Sequence, residues 1–186
     1  MKMKGLEKDC ESILVSEEEL ASICDRLAKE ITADYEGSGR DLIFVVILKG
    51  SIMFAADLIR RVPLASTIEF MKVSSYGART ESSGFIQVHL DLHRDVTGAD
   101  VIVLEDIVDS GRTLEKLSAL LSERGAHSVR TCTLLDKPDR RAVNYNPDYV
   151  GRTIPDAFVV GYGLDYDEKY RNLPFVGILS PSVYEK

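Results

Sequence analysis

The chain has only three cysteines, Cys10, Cys24 and Cys132, far apart, with no Cys-x-x-Cys pair and no histidine cluster beside them. That scarcity argues against a disulfide framework or a structural zinc site and points to free thiols in a reducing cytoplasm. Histidine is equally sparse: His89, His93 and His127 share no ligand spacing and are assigned no chemistry. Long apolar runs are missing as well. The longest, Leu42 to Leu48, is far short of the roughly 20 residues a membrane span needs. The first residues, Met1-Lys2-Met3-Lys4-Gly5, carry positive charge with no apolar stretch behind them, so no secretory signal is expected. Positive charge is in deficit overall, the net being −7, which disfavours a broad nucleic-acid surface. No internal repeat, low-complexity tract or Walker-type Gly-x4-Gly-Lys-Ser/Thr loop occurs.

What is present belongs to a globular protein. At 186 residues, 45% apolar and 28% charged, the chain is long enough for one well-buried domain and offers no linker that would divide it. Ser16 and Glu19 form a capping box with a Val15 to Leu20 staple, and Leu20, Ile23, Leu27 and Ile31 continue one helical stripe. Asp41 to Leu48 reads as a buried strand with a helix, Ser51 to Arg60, behind it. Thr67 to Val73 is a further strand; the polar stretch from Ser74 to Gly84 separates it from the alternating Ile86, Val88, Leu90 and Leu92. Val129 to Leu135, Ala157 to Tyr162 and Val176 to Leu179 complete the strands, and Arg140 to Pro155 shows little periodicity and reads mostly as loop.

The chemistry concentrates in Val101-Ile102-Val103-Leu104-Glu105-Asp106-Ile107-Val108-Asp109-Ser110-Gly111-Arg112-Thr113. An apolar, β-branched strand delivers two adjacent carboxylates to its carboxyl edge, a small-residue loop follows, and Leu114, Leu117, Leu120 and Leu121 carry a helix up to Gly125, a plausible C′ residue. Free N–H groups at a helix start, with the Ser110 and Thr113 hydroxyls, make a phosphate cradle. Acids just upstream of such a cradle suit a ribose diol. An acidic chain that binds polyphosphate needs local lysines and arginines and a divalent metal carried in with the phosphates.

This run resembles the phosphoribosyl-pyrophosphate motif of the type I phosphoribosyltransferases. Together with Leu48-Lys49-Gly50-Ser51, Ser75-Tyr76-Gly77, Asp136-Lys137-Pro138, Phe158 to Tyr166 and Arg171-Asn172-Leu173-Pro174, in that order along the chain, it is similar to the bacterial-type hypoxanthine(-guanine) phosphoribosyltransferases. The resemblance implies an α/β fold, a mainly parallel sheet flanked by helices with a small hood subdomain. The core would span about 38–136, and the hood would come from the N-terminal segment and about 137–186. It implies purine salvage: transfer of ribose 5-phosphate from phosphoribosyl pyrophosphate to N9 of hypoxanthine, and of guanine, giving IMP or GMP and pyrophosphate with Mg2+ as cofactor.

Residue roles follow from the same resemblance. Glu105 and Asp106 would hold the ribose hydroxyls directly or through a metal-bound water, and Asp109 would be the catalytic base against N7. Ser110, Gly111, Arg112 and Thr113 would wrap the 5′-phosphate. Lys49 and Gly50, after a cis peptide, would meet the pyrophosphate, Asp165 would bind a second magnesium and Arg171 would neutralise the leaving group. Lys137 would donate to the purine O6, Phe158 would stack on the base and Val159 would offer backbone contacts to its edge. Ser75 and Tyr76 would close over the site in a lid spanning 74–84, because a reactive sugar carbon must be kept from water. A homodimer or homotetramer is expected, with no nucleic-acid or membrane partner. Three alternatives stay open, one of them a plain nucleotide-binding module that binds phosphoribosyl pyrophosphate without turnover. A xanthine-guanine type enzyme usually places tryptophan over the base, and this chain has none. An RNA-binding attenuation regulator on the same fold tends to carry tyrosine where Asp109 stands and needs a basic surface.

Overall fold

A computed structural model describes residues 5–75 and 86–185. Its main sheet is built from β2 (Leu42–Ile47), β3 (Ser66–Ser75), β4 (Ile86–Leu90), β5 (Asp100–Val108), β6 (Ser128–Asp136) and β7 (Tyr149–Thr153), in the order β4-β3-β2-β5-β6-β7. Every pairing is parallel except that of the edge strand β4 with β3. A second, antiparallel sheet joins β1 (Cys10–Val15), β9 (Val176–Leu179) and β8 (Val159–Val160) in the order β1-β9-β8 and forms the hood.

Strand alternation explains why the main sheet needs helices on both faces. Leu42, Phe44 and Val46 of β2, with Ile102 and Leu104 of β5, enter one core with α1 (Glu17–Tyr35) and α2 (Ile52–Ile59). Ile43, Val45, Ile47, Val101 and Val103 enter the other, with Leu114, Leu117 and Leu121 of α3 (Arg112–Glu123). Both ends of the chain's helices are specified locally. Ser16 Oγ accepts the Glu19 N–H at 3.2 Å while Glu19 Oε2 accepts the Ser16 N–H at 2.8 Å, and Val15 and Leu20 are fully buried in one cluster. After α3, Gly125 at φ 86 bonds back to Ser122 and Ala126 to Leu121, the two bonds of a Schellman turn.

Two expectations change. The segment read as loop between Arg140 and Pro155 contains β7, which extends the main sheet, so the core reaches past residue 137 to Thr153. α1 likewise packs on the core, so of the N-terminal segment only the part around β1 joins the hood. The signal for β7 is weak for a packing reason. A Cβ at Gly151 would lie 2.4 Å from the Leu134 carbonyl oxygen and 2.9 Å from Ile23, so the strand carries glycine where pattern would favour a β-branched residue. β5 also runs on through Val108, so Glu105 and Asp106 sit within the last turns of the pleat and not at its end.

Chain direction fixes where a ligand can bind. From β2 the chain builds outward to β3 and β4, then returns to lay β5 on the other side of β2 and builds the opposite way through β6 and β7. The loops leaving β2 and β5 therefore diverge at a topological switch point, with the hood above them.

Candidate active site

A cleft opens at that switch point. It gathers Lys49 and Gly50 after β2, Glu105 and Asp106 on β5, Thr113 at the start of α3, and Asp165 and Arg171 from the hood; Ser74 of β3 closes one side. The Leu48–Lys49 peptide is cis. Gly50 leaves no room for a side chain, since a Cβ there would fall 1.5 Å from Asp106 Oδ2. Gly163 of the hood, at φ 104, abuts Gly50 in turn, its Cβ position lying 1.9 Å from the Gly50 carbonyl oxygen. Three segments remote in sequence thus meet backbone to carboxylate.

Burial raises both acids of the pair, Glu105 well above its ordinary value with the charge of Asp106 adding to the rise, and Asp106 to about 6. The Ile107 N–H, 2.7 Å from Asp106 Oδ1, and the Arg171 charge act in the opposite direction at Asp106. Both side chains keep partial contact with water. Among the described residues no three His, Cys, Asp or Glu side chains form a metal cage. The donors still fit magnesium, which takes one or two carboxylates and completes its shell with waters and substrate phosphates. Glu105 and Asp106 are adjacent hard oxygen donors whose ionisation a divalent ion would favour.

The hood side of the cleft carries a chain of charge. Arg171 donates to the Gly163 carbonyl at 2.8 Å, pairs with Asp165 at 2.9 Å and reaches Glu168 at 3.2 Å; Glu168 also takes Lys49 Nζ at 2.9 Å. The Glu168 carboxyl is held below its ordinary value by Lys49 first and Arg171 second. Arg171 Nε is buried and finds no acceptor among the described residues, as suits a site for an anion. Sequence reasoning placed Lys49, Asp165 and Arg171 here and overlooked Glu168, whose only signal is its position three residues before Arg171 in an acid-rich loop.

The cradle forms as its sequence requires. Gly111 caps α3 in the left-handed region at φ 78, and a side chain there would press on Arg141, Val143 and Tyr145 at 3.0–3.3 Å. The first helical bond runs from the Glu115 N–H to the Gly111 carbonyl, so the N–H groups of Arg112, Thr113 and Leu114 have no partner within the helix. Ser110 Oγ takes only a long bond, 3.4 Å, from the Arg112 N–H. Arg141, another residue that pattern does not single out, anchors this turn by donating to the Asp109 carbonyl at 2.7 Å and pairing with the buried Asp136.

Next to the cradle lies a second group of the expected residues. Asp109 is exposed and accepts Arg140 Nε at 3.1 Å; Arg140 reaches Asp156 at 3.2 Å. Lys137, nearly buried, donates to the Ala157 carbonyl at 2.7 Å and lies 3.6 Å from Asp156, which puts its ammonium beside Phe158. Phe158 is 42% exposed, and Val159 lies on β8, a strand with only one neighbour, so one edge of its backbone is unpaired within the sheet. Ser75 ends β3, while Tyr76 and the lid expected over 74–84 fall, from Tyr76 onward, outside the described residues. His89, assigned no chemistry, meets the cleft wall through a 2.8 Å contact between Nε2 and Ser74 Oγ.

A diacid on a parallel strand, free N–H groups at the start of the following helix and Lys49 and Arg171 under a hood fit a sugar-phosphate transferase of the α/β class. The phosphoribosyl transferase domain matches residues 12–167. The hypoxanthine-guanine phosphoribosyltransferase of Staphylococcus epidermidis is 48% identical over 97% of this chain and 100% of its own length, and that of Staphylococcus aureus 47% identical over 96% and 99%. The crystal structure of a hypoxanthine phosphoribosyltransferase from S. aureus superposes with a TM-score of 0.94 at 46% identity over 100% of both chains. That of the Trypanosoma cruzi enzyme in complex with the product IMP gives 0.89 at 42% identity over 95% and 98%. The chain belongs to the phosphoribosyltransferases, in their hypoxanthine-guanine branch.

Two measurements test the electrostatics. The folded state keeps on Asp106 a proton that the unfolded chain releases, so wild-type stability falls as pH rises from about 4 through about 6. Asp106→Asn should therefore melt at a higher temperature than wild type above about pH 7, with the gap closing as the pH is lowered towards about 4; a gap independent of pH would contradict the assignment. Glu168→Gln frees Lys49 and Arg171 and should tighten binding of inorganic pyrophosphate by about two- to fivefold in calorimetric titration, since exposed pairs contribute little.

Proposed function

We propose that the protein carries out purine salvage by transferring ribose 5-phosphate from phosphoribosyl pyrophosphate to hypoxanthine or guanine. The single observation that carries the choice of base is the placement of Lys137. Its ammonium is fixed to the Ala157 carbonyl next to Phe158, and it retains donor capacity for the oxygen at purine C6, which adenine lacks. Phe158 supplies the stacking surface and the unpaired edge of β8 the main-chain groups for the rim of the base.

In the reaction N9 of the base attacks C1′ of the sugar, the bond from C1′ to the pyrophosphate oxygen breaks with its electron pair leaving on pyrophosphate, and the proton of the imidazole ring passes to Asp109 at N7. Residues 110–113 hold the 5′-phosphate on the free N–H groups of α3, which keeps C1′ over the cleft. Glu105 and Asp106 orient the two ribose hydroxyls. Lys49 and Arg171 receive charge on the departing pyrophosphate, in an oxocarbenium-like transition state where such preorganised charge acts most strongly. Asp165 and the Glu105–Asp106 pair, directly or through water, would hold magnesium, which would supply Lewis-acid support for the leaving group.

We read the molecule as cytoplasmic from its three widely spaced cysteines, Cys10, Cys24 and Cys132, whose thiols are free. Exposed Ile68 and Phe70 on β3 support a homodimer or homotetramer.

The reading is tested by supplying phosphoribosyl pyrophosphate and magnesium with hypoxanthine, guanine, xanthine and adenine in turn and measuring nucleotide formed. IMP and GMP are expected, and product from adenine alone would refute it. In the same assay Lys137→Ala should narrow the preference for hypoxanthine over adenine by about tenfold or more. Asp109→Asn should lower kcat by about 10²–10⁴ while binding of the sugar diphosphate stays near wild type. Unchanged turnover would remove Asp109 from the role of base.

A further inference from the structure

Phe158 has two faces, and the structure covers one of them. Tyr184, from the C-terminal turn α4 (Pro181–Tyr184), stacks on the ring with centroids 5.1 Å apart and planes 24° apart. Tyr166 meets the Phe158 ring edge-on at 5.7 Å and 84°, and meets Tyr184 at 6.3 Å and 64°. The two tyrosine rings bracket Phe158 on two sides, and its remaining 42% exposure is left for a planar ligand.

The bracket is held from both ends of the chain. The Ser180 N–H donates to the Asp9 carbonyl at 2.8 Å, and Asp9 Oδ2 accepts the Tyr170 hydroxyl at 2.9 Å. Val183 and Glu185 bond back to Ser180 and Pro181 at 3.0 and 2.7 Å, winding the turn that presents Tyr184. The backbone beneath Phe158 is equally fixed, the Ala157 carbonyl by Lys137 and the Phe158 carbonyl by the Leu179 N–H at 2.8 Å. With the main chain pinned, the plane of the Phe158 ring is the one freedom left, and Tyr184 is the group stacked against it.

We propose that Tyr184 is a positioning residue for base recognition: by stacking on the back of Phe158 it presets the plane on which the purine lands. The inference rests on Phe158 being the base platform. It gives Tyr184 a part in base binding from a turn that, among the described residues, lines no part of the sugar-phosphate cleft. Because the hydroxyl makes none of the contacts described, ring and not phenol carries the effect.

Steady-state kinetics of full-length Tyr184→Ala and Tyr184→Phe, with melting temperatures and calorimetric IMP binding, test this. The expected result for Tyr184→Ala is a KM for hypoxanthine raised roughly two- to tenfold and IMP binding weakened equally, as loss of one aromatic pair implies. The KM for phosphoribosyl pyrophosphate and the melting temperature should stay near wild type, and Tyr184→Phe should restore base affinity. No change in base affinity would overturn the proposal, and a fall in the KM for hypoxanthine would overturn it in favour of Tyr184 occupying the place of the base. Parallel changes in both KM values with a lower melting temperature would reduce Tyr184 to a structural role. IMP binding does not need turnover, so a wild type that binds IMP but makes no nucleotide refutes the salvage reading alone, whereas one that fails to bind IMP refutes both.

Discussion

Gly50 lies against the Asp106 carboxylate on one side and Gly163 on the other, and the geometry of the cleft depends on that double approach. None of the three has space to spare: a methyl group on Gly50 would collide with the Asp106 carboxylate, and one on Gly163 with the Gly50 carbonyl. Backbone must therefore take the place of side chain at both glycines, and Asp106 is pinned between its own Ile107 N–H and the loop after β2. Because the three segments come from two strands of the core and a loop of the hood, the same contact sets the height of the hood over the sheet. Lys49 and Arg171 then face one another across Glu168 as a consequence of where their neighbours sit.

Charge is arranged in this frame so that no cation of the cleft stands alone. Arg171 is shared between Asp165 and Glu168, Lys49 leans on Glu168, and Arg140 spans Asp109 and Asp156. The Glu105–Asp106 pair is the exception, two acids side by side whose burial drives their protons on. In an acidic protein of net charge −7 the cations of the cleft, Lys49 and Arg171, are thus held in place by acids of one hood loop.

Much of this was legible in the amino-acid order because local rules dominate there. The Ser16–Glu19 box, the apolar run of β2 and the C′ glycine Gly125 are each specified within a few residues. The resemblance carried the rest of the site, as the cis peptide before Lys49 shows. β7 escaped because Gly151 and its setting are explained only by Leu134 and Ile23, distant in sequence. Glu168, Arg140 and Arg141 escaped for a related reason: a charged residue in a loop looks like solvated surface until its partner, here Lys49, Asp109 or Asp136, is brought to it by the fold. α1 was placed in the wrong layer since an amphipathic stripe states that it is buried and not against what.

β8 is only two residues long and has a neighbour on one side alone. Main-chain amides and carbonyls are the same whichever amino acid bears them, so a base rim met by that strand is met by atoms that point mutation leaves untouched. Selectivity written there is inherited with the strand's position, and drift at Val159 has little purchase on it.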